Sequence, residues 1–376
     1  MRCPHSWRRK PGCLHSIDVL GGARDSVPLA PFTTLGIGGA AKWLVSARTI
    51  GDIDLAHRWS VARAVPLLVL GGGSNVVIAD EGFRGLVLQI DVRGREWSKD
   101  DGETLMTVGA GESWDETVAA AVERGLAGLE CLSGIPGTVG GTPIQNVGAY
   151  GQEVAETIDH VTAYDRERAA VRSFNADECG FTYRMSRFKQ HDAGRFVIVD
   201  VTFRLRRGDP TLKYPDIVDY LTRAGVSSPD VQDVRNAVLR VRRGKGMVID
   251  STDADTRSVG SFFMNPIVSE ADRERAASVA GVQPPAFPAP GGRVKLPAAW
   301  LIERSGFQRG LADGEVGIST KHTLALVNRG HATARDVLRL AVRIKRGVLD
   351  RFGIALRPEP VFVGFERDSE LDFLQG

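Results

Sequence analysis

Residues 67–78 are LLVLGGGSNVVI, and this stretch decides which class of fold the sequence indicates. Leu67–Leu70 predict a buried strand, and Val76–Ile78 predict a second strand directly after the glycine run. A dinucleotide-binding fold has a helix at that point, so this order indicates a different fold. The loop can present successive backbone amides to a phosphate, although a tight turn within a sheet is the alternative. Its residues are Gly71, Gly72, Gly73, Ser74 and Asn75.

A second glycine-rich stretch, residues 132–151, predicts a long ordered loop system or a short capped helix. Ile, Val and Tyr recur among its glycines, which a surface linker would not require. Small residues suit a flat ring and a pyrophosphate, and the amides of Gln145 and Asn146 suit the edge of a heterocycle. We expect a ligand-binding loop, with a buried structural loop as the alternative. The candidate cofactor contacts are Ser133, Gly134, Ile135, Pro136, Gly137, Gln145, Asn146, Gly148, Ala149 and Tyr150.

The remaining hydrophobic pattern mixes two periods and predicts an α+β protein. Apolar residues at helical spacing predict helices at residues 53–64, 114–124, 232–243, 298–305 and 334–352. Short apolar or alternating runs predict strands at residues 86–90, 105–108, 158–164 and 196–205. A domain boundary is expected near residues 250–255, where polar residues dominate, and a final strand is expected to carry Glu359.

Length and composition exclude several classes of function. With 376 residues, two or three domains are expected. The net charge of +2 gives no field that favours nucleic acid, and no apolar run is long enough for a membrane span. The four cysteines lack metal-binding spacing, which predicts reduced cytosolic thiols and no metal site. Residues 1–27 are basic without an apolar core, so we expect a flexible tail on a cytoplasmic protein.

Three polar residues stand between aromatic residues, glycines or prolines in separate parts of the chain. Arg184, in FTYRMSRFK, can grip a carboxylate through its planar guanidinium or belong to a solvated basic face. Ser261 can supply a proton or cap a helix. Glu359, held extended between Pro358 and Pro360, can be catalytic or an edge-strand charge. A cation, a hydroxyl and a carboxylate beside two glycine loops suggest a flavin enzyme that reduces an activated double bond.

Taken in order, five motifs resemble the UDP-N-acetylenolpyruvoylglucosamine reductase family, also called UDP-N-acetylmuramate dehydrogenase. They are LGGGSN (70–75), CLSGIPGTVGG with PIQNVGAYG (131–151), FTYRMSRFK (181–189), VGSFFMNP (259–266) and LRPEPVFVG (356–364). The resemblance implies a vanillyl-alcohol-oxidase-like, PCMH-type FAD-binding fold in residues 28–249, with two subdomains that divide near residues 80–90. It also implies a UDP-sugar domain at residues 250–356, and a strand at 357–366 that returns to the first subdomain.

The same resemblance implies a reaction. NADPH would reduce non-covalently bound FAD, and the enolpyruvyl ether of UDP-N-acetylglucosamine would then accept hydride at C3 and a proton at C2, in peptidoglycan synthesis. By their motifs, Arg184 is implied to stabilise the enolate, Ser261 to give the proton and Glu359 to act at the substrate carboxylate. Fixed donors aimed at the developing charge stabilise the transition state more than the ground state.

The resemblance also implies five further substrate contacts by their positions, and the fifth, Glu303, stands where the family often has glutamine. They are Tyr183, Tyr214, Lys245, Asn265 and Glu303. We expect a monomer whose partners are small molecules. One alternative is another flavin oxidase of this fold; such enzymes often tether flavin through a histidine near the glycine loop, and residues 67–80 contain none. The other alternative is a module that binds flavin or a nucleotide sugar without catalysing a reaction.

Overall fold

The computed structural model describes residues 16–376, whose helices and strands fall into three groups along the chain. The first group forms a sheet with strand order β1-β2-β5-β3, in which β2 and β3 run parallel to β5 and β1 is an antiparallel edge. Helix α1 starts at a capping box made by Thr49 and Asp52. The elements are β1 (Arg24–Pro28), β2 (Ala40–Ala47), α1 (Ile50–Ala62), β3 (Leu67–Leu70), β4 (Val76–Ile78) and β5 (Phe83–Ile90).

The second group is built on an antiparallel five-stranded sheet of order β11-β10-β12-β7-β6. Trp59 of α1 and Trp114 of α2 are fully buried in one core that joins this sheet to the first. The elements are β6 (Arg95–Asp100), β7 (Glu103–Gly109), α2 (Trp114–Glu123), β8 (Gly148–Ala149), β9 (Gln152–Glu153), β10 (Ile158–Asp165), β11 (Ala170–Asn175), β12 (Phe196–Leu205), α3 (Pro215–Arg223) and α4 (Val231–Gly244).

The third group surrounds one long helix, α7, whose apolar stripe is buried against the small sheets and helices beside it. A capping box at Thr333 starts this helix, and Gly353 ends it in left-handed conformation. The elements are β13 (Ile267–Val268), α5 (Glu270–Ala280), β14 (Phe287–Ala289), β15 (Arg293–Lys295), α6 (Ala298–Arg304), β16 (Ala312–Asp313), β17 (Val316–Ile318), β18 (Leu326–Asn328), α7 (Ala334–Phe352), β19 (Val361–Val363) and α8 (Ser369–Gln375).

Strand β19 returns from the third group and pairs in parallel with β4, which directly follows the GGGSN loop. Val361 lies opposite Val76, and Val363 lies opposite Ile78. The pairing brings the end of the chain to the first glycine loop. Glu359 lies two residues before β19, so the prediction that the final strand itself carries Glu359 is wrong. Pro360, which has no amide proton, separates Glu359 from the strand.

Most of the predicted elements are confirmed within a few residues, including the strand, glycine loop, strand order at residues 67–78. The flexible tail predicted through residue 27 is wrong for its second half. Ile17–Leu20 form a 3₁₀ helix, and β1 begins at Arg24 and pairs with β2. The Trp59 Nε1 group donates a hydrogen bond to Ser16 O (3.1 Å), which ties this segment to α1. Residues 1–15, with Cys3 and Cys13, lie outside the described part of the chain.

Residues 16–376 lack the features of a membrane-spanning helix and of a metal site. No helix in this range combines the length and apolar character needed to cross a membrane. The same range contains no group of three or more His, Cys, Asp or Glu side chains placed to hold a metal ion. Cys131 and Cys179 are free and buried, and burial raises the pKa of each thiol to about 12.

Candidate active site

Two glycine loops pack backbone against backbone at the end of the first sheet. Residues 71–75 join β3 to β4, and residues 133–137 follow a short 3₁₀ helix after α2. A Cβ atom added at Gly72 would lie 2.6 Å from Gly137 Cα, and one added at Gly137 would lie 2.6 Å from Ser74 Oγ. Ordinary Cβ contacts begin near 3.4 Å, so glycine at these positions is what allows the two loops to meet.

The first loop leaves amide groups unused by the protein. The backbone N–H groups of Gly72, Gly73 and Ser74 donate no hydrogen bond to any acceptor in residues 16–376. Successive free amides where side chains are small form a concave donor surface for an anion. This arrangement fits the pyrophosphate of a dinucleotide cofactor.

The second loop is anchored by side chains of α2 and α4. The Gly134 amide donates to Asp115 Oδ1 (2.6 Å), and Arg235 donates to both oxygens of that carboxylate (2.6 and 3.0 Å). Burial opposes ionisation of Asp115, but the hydrogen bonds from Arg235 and Gly134 outweigh it and lower the pKa of the carboxyl. The buried Arg242 donates to Gly134 O (3.2 Å) and Met247 O (2.7 Å). Ile135 and Pro136 complete this anchored loop and are partly buried.

Two side chains predicted to contact the cofactor are committed to the protein instead. Asn146 Nδ2 donates to Glu153 (2.7 Å) and to Thr182 O (3.1 Å), and its Oδ1 accepts from the Ala155 amide. Both N–H groups of the Asn146 side chain are therefore used within the protein, and the side chain orders a turn in which Asn146 has φ 44°. The buried Ser133 hydroxyl likewise donates to Glu130 O (2.7 Å).

Other residues of the second glycine-rich stretch contact the first glycine loop and Arg184. Gln145 Oε1 accepts a hydrogen bond from Asn75 Nδ2 (2.5 Å), which links the stretch to the first loop. Gly148 O accepts from Arg184, and Ala149 pairs with Gln152 in the β8–β9 hairpin. Tyr150 has φ 51°, and its partly buried ring packs edge-on against the ring of Tyr214. Burial raises the pKa of the Tyr150 hydroxyl.

Arg184 and Glu359 lie together although they are 175 positions apart in the sequence. Arg184 Nε lies 3.6 Å from Glu359 Oε1, and both side chains are mostly buried, 22% and 13% exposed. Arg184 Nη2 donates to Gly148 O (2.7 Å), while its Nε is buried and makes no hydrogen bond within the described residues. With φ 56°, Arg184 holds a strained left-handed backbone conformation. An unused donor on a strained, buried arginine is consistent with a group that binds an anion.

Glu359 also joins the first glycine loop to the segment that carries Ser261. Its amide donates to Phe262 O (2.9 Å), and its carbonyl accepts from Asn75 Nδ2 (3.4 Å). The Val361 amide donates to Asn75 O (3.0 Å). Residues 261–263 therefore run beside Glu359, and Phe263 forms a bridge with Pro358. The structure thus brings the predicted carboxylate, the predicted cation and the GGGSN loop together.

The Ser261 hydroxyl faces a residue that sequence reasoning missed. Ser261 Oγ lies 3.3 Å from His322 Nε2, and no hydrogen bond joins it to Arg184 or Glu359 in the described chain. The backbone of Ser261 forms a bridge with Ala325, so the two segments run side by side. Desolvation, followed by the charges of Lys245, Arg242 and Arg309, lowers the pKa of His322 to about 4. The histidines are scattered along the sequence, and such positions carry no signal that His322 lies beside Ser261.

Comparison with known proteins gives consistent results over nearly the whole chain. Residues 251–363 match the domain family described as "UDP-N-acetylenolpyruvoylglucosamine reductase, C-terminal domain", and residues 41–167 match "FAD binding domain". The chain is 50% identical over 351 residues to the UDP-N-acetylenolpyruvoylglucosamine reductase of Thermobifida fusca, covering 90% of this chain and 97% of that one. It is 49% identical to the Streptomyces coelicolor protein of the same name, over 90% of this chain and 89% of that one.

This chain belongs to the UDP-N-acetylenolpyruvoylglucosamine reductase family. The crystal structure of the Thermus caldophilus reductase agrees, with a TM-score of 0.60 and 26% identity over 90% of this chain and 97% of that one. The protein is therefore an FAD-dependent oxidoreductase with the expected flavoprotein fold. The free amides of residues 72–74 and the missing Cβ atoms around them suit this reductase's cofactor.

The five positions that the family resemblance implies for substrate binding differ in how firmly protein contacts hold them. Tyr183, next to Arg184, is partly buried, and Lys295 Nζ lies 4.7 Å from its ring centroid. Tyr214 is 39% exposed, and its ring lies 5.2 Å from that of Tyr150. Lys245 Nζ pairs with Asp216 (2.8 Å) and lies 5.7 Å from the Tyr150 centroid.

The other two implied contacts of the reductase hold protein segments together. Asn265 Oδ1 accepts from the Ala298 amide (2.9 Å) at the start of α6. Glu303, on α6, accepts a hydrogen bond from the hydroxyl of Thr323, the residue after His322. These side chains therefore hold neighbouring backbone segments in place.

Proposed function

We propose that this enzyme reduces UDP-N-acetyl-3-O-(1-carboxyvinyl)-glucosamine to UDP-N-acetylmuramate, with NADPH as reductant, in peptidoglycan synthesis. The names of the relatives support the substrate, and the FAD-binding domain supports the cofactor. The observation that carries the site assignment is the 3.6 Å ion pair of Arg184 and Glu359 beside the GGGSN loop. FAD, when bound, would supply the hydride-transfer chemistry that links NADPH to C3 of the enolpyruvyl group.

The cofactor would be held mainly by backbone groups. We assign the pyrophosphate to the free amides of Gly72, Gly73 and Ser74, which donate no hydrogen bond within residues 16–376. The loop of residues 133–137 closes the other side, and its anchor on Asp115 keeps that loop in place without substrate. A cradle of fixed dipoles needs little reorganisation on binding, which favours affinity.

Arg184 would stabilise the charge that develops as hydride reaches C3. Negative charge then accumulates at C2 and on the adjacent carboxylate, and a planar guanidinium can donate two parallel hydrogen bonds to that carboxylate. Arg184 Nε lies 3.6 Å from Glu359 Oε1 but makes no hydrogen bond among the described residues, so its N–H can still donate to an anion that enters beside Glu359. Glu359 would orient the guanidinium through the ion pair and act beside the substrate carboxylate.

Ser261 would protonate C2. The O–H bond breaks as the C2–H bond forms, and the serine oxygen regains a proton from water. A serine hydroxyl is a very weak acid, so the transfer depends on the strong basicity of the enolate and on stabilisation of the oxygen left behind. Tyr183, Tyr214 and Lys245 would bind the sugar and diphosphate, and residues 250–356 would form the substrate domain with β19 returning to the FAD-binding part.

The two half-reactions test this function separately. Purified protein should show flavin absorption that NADPH bleaches and the enolpyruvyl sugar restores. In Ser261→Ala, bleaching by NADPH should remain close to normal, whereas reoxidation by the sugar should slow by about 100-fold or more, because only the second step uses the hydroxyl. Ser278→Ala, at an exposed position of α5, is the matched control and should leave both steps unchanged. Equal slowing of both steps in Ser261→Ala would refute the assignment.

A further inference from the structure

We propose that His322 is the positioning residue for Ser261: its Nε2–H donates a hydrogen bond to the serine oxygen and leaves the serine proton free for C2. This inference rests on the proposed role of Ser261 as proton donor and adds a second residue to it. The geometry that points to it is the 3.3 Å approach of His322 Nε2 to Ser261 Oγ, where the two segments form a backbone bridge.

The loop that presents His322 is tied down on both sides of the imidazole. Before it, Thr320 bonds to Asp255 through its amide (3.1 Å) and through its hydroxyl, and Lys321 pairs with Asp253 (2.5 Å). After it, the hydroxyl of Thr323 donates to Glu303.

The backbone of this loop is fixed as well. The hydroxyl of the fully buried Ser319 accepts from the amides of Lys321 and His322 (3.0 and 3.2 Å). The His322 carbonyl accepts from the Ala325 amide (3.0 Å). A backbone held by this many contacts fixes the point from which the His322 side chain reaches Ser261, and such fixed placement is what a positioning group requires.

The direction of the hydrogen bond follows from what Ser261 must do. If His322 Nε2 accepted the serine proton, the O–H group would point at the imidazole and away from the substrate. If Nε2–H donates, the serine oxygen is the acceptor and its proton stays free. The same N–H then stabilises the oxygen after the proton has gone to C2, until water restores it. Only the donating tautomer is compatible with proton delivery.

The surroundings of His322 favour the neutral imidazole that this role needs. Three cations, Lys245, Arg242 and Arg309, lie near enough to oppose a further positive charge on the ring. Burial acts in the same direction, so the imidazole carries a single proton at neutral pH. The same cations favour negative charge on the serine oxygen, because an electropositive surrounding stabilises an anion.

The test uses the full-length holoenzyme and measures each half-reaction by flavin absorbance. His322→Leu removes the donor, and reoxidation by the enolpyruvyl sugar should slow by about 10- to 100-fold, the usual effect of one hydrogen bond to a charged group. Bleaching by NADPH should be unchanged. His322→Gln can place an amide N–H near the Nε2 position, and it should recover part of the lost rate. His331→Leu, at an exposed histidine nearby, is the matched control and should leave both half-reactions at their normal rates.

The double variant separates this inference from the proposed function. With Ser261→Ala already present, His322→Leu should cause little further slowing, because the imidazole acts through the hydroxyl. Multiplicative slowing in the double variant, equal slowing of both half-reactions, or no difference between Leu and Gln at 322 would each overturn the inference. If Ser261→Ala alone left reoxidation unchanged, the proton-donor assignment itself would fail, which is a different result. If the His322→Leu protein fails to fold, the test can use His322→Gln, which keeps a polar side chain at this position.

Discussion

Replacing Gly72 by alanine should weaken FAD binding without changing a single polar group. The added Cβ would lie 2.6 Å from Gly137 Cα, 3.0 Å from Gly137 C and 3.2 Å from Thr138 N. All three atoms belong to backbone, which cannot rotate away as a side chain could. The two glycine loops would therefore have to separate, and the free amides of residues 72–74 would move relative to the loop that closes the cradle.

The size of the effect follows from the geometry. Ordinary contact begins near 3.4 Å, so the loops must part by about 0.8 Å at this point. Inserting one methyl group into a packed region costs about 1–3 kcal/mol. If that cost falls on the bound state, the Kd for FAD rises about 5- to 150-fold. The apoprotein can relax the strain by opening the loops, so its own stability should change less.

The assay is titration of FAD into apoprotein, followed by the quenching of flavin fluorescence, with thermal unfolding of each apoprotein measured alongside. Gly51→Ala, at an exposed position of α1, is the matched control, since an added Cβ there would meet its nearest neighbour, Thr49 Oγ1, at an ordinary 3.5 Å. The control should bind FAD normally. A Kd for Gly72→Ala within twofold of the unmodified enzyme would refute the claim that the loops meet through missing Cβ atoms. An equal rise of the Kd for FAD in Gly51→Ala would refute it as well.

Three further predictions concern the site and the fold. Arg184→Lys should slow reoxidation of the flavin by about tenfold or more, because an ammonium cannot replace the guanidinium fork, and near-normal turnover would contradict this. Since the folded pKa of His322 is about 4 against an ordinary 6.5, the unfolded chain binds a proton that the folded chain does not. The free energy of unfolding should therefore fall as pH falls. Measured in urea, it should fall between pH 7 and 5 by about 2 kcal/mol more in the unmodified enzyme than in His322→Gln. Equal falls in the two proteins would argue against the lowered pKa. The buried Lys345 donates to two carbonyls of α8, at 2.7 and 3.0 Å, so Lys345→Met should lower the free energy of unfolding by about 1–3 kcal/mol, and an unchanged urea midpoint would exclude that role.

The sequence carried enough local information to predict most elements of the fold. Ala334–Phe352 has an apolar stripe at helical spacing and ends at a glycine, and the predicted bounds are those observed. The glycines at 71–73 predicted a loop of close approach, and they contact another backbone as expected of residues without Cβ. The order of five motifs led to the family, because each motif fixes residue types at specific spacing. These features depend on neighbours within a few positions, so they can be recognised in one dimension.

The same reasoning failed where a residue's environment comes from elsewhere in the chain. Residues 16–27 looked like a tail, because nothing in them shows that β1 would pair with β2. Nothing in the sequence shows that the two N–H groups of the Asn146 side chain bind Glu153 and Thr182. His322 drew no notice, because its significance comes from a serine 61 positions away.

What the sequence by itself determined is therefore the set of elements, the glycine loops and the chemical identity of Arg184, Ser261 and Glu359. Tertiary structure decided which groups meet: β19 returns to β4, and only that pairing sets Glu359 beside Arg184 and the first glycine loop. The physical reason is that periodicity and backbone preference act over a few residues, whereas an active site needs groups within hydrogen-bonding distance. Those distances are set by strand pairing and core packing between segments that are far apart in sequence.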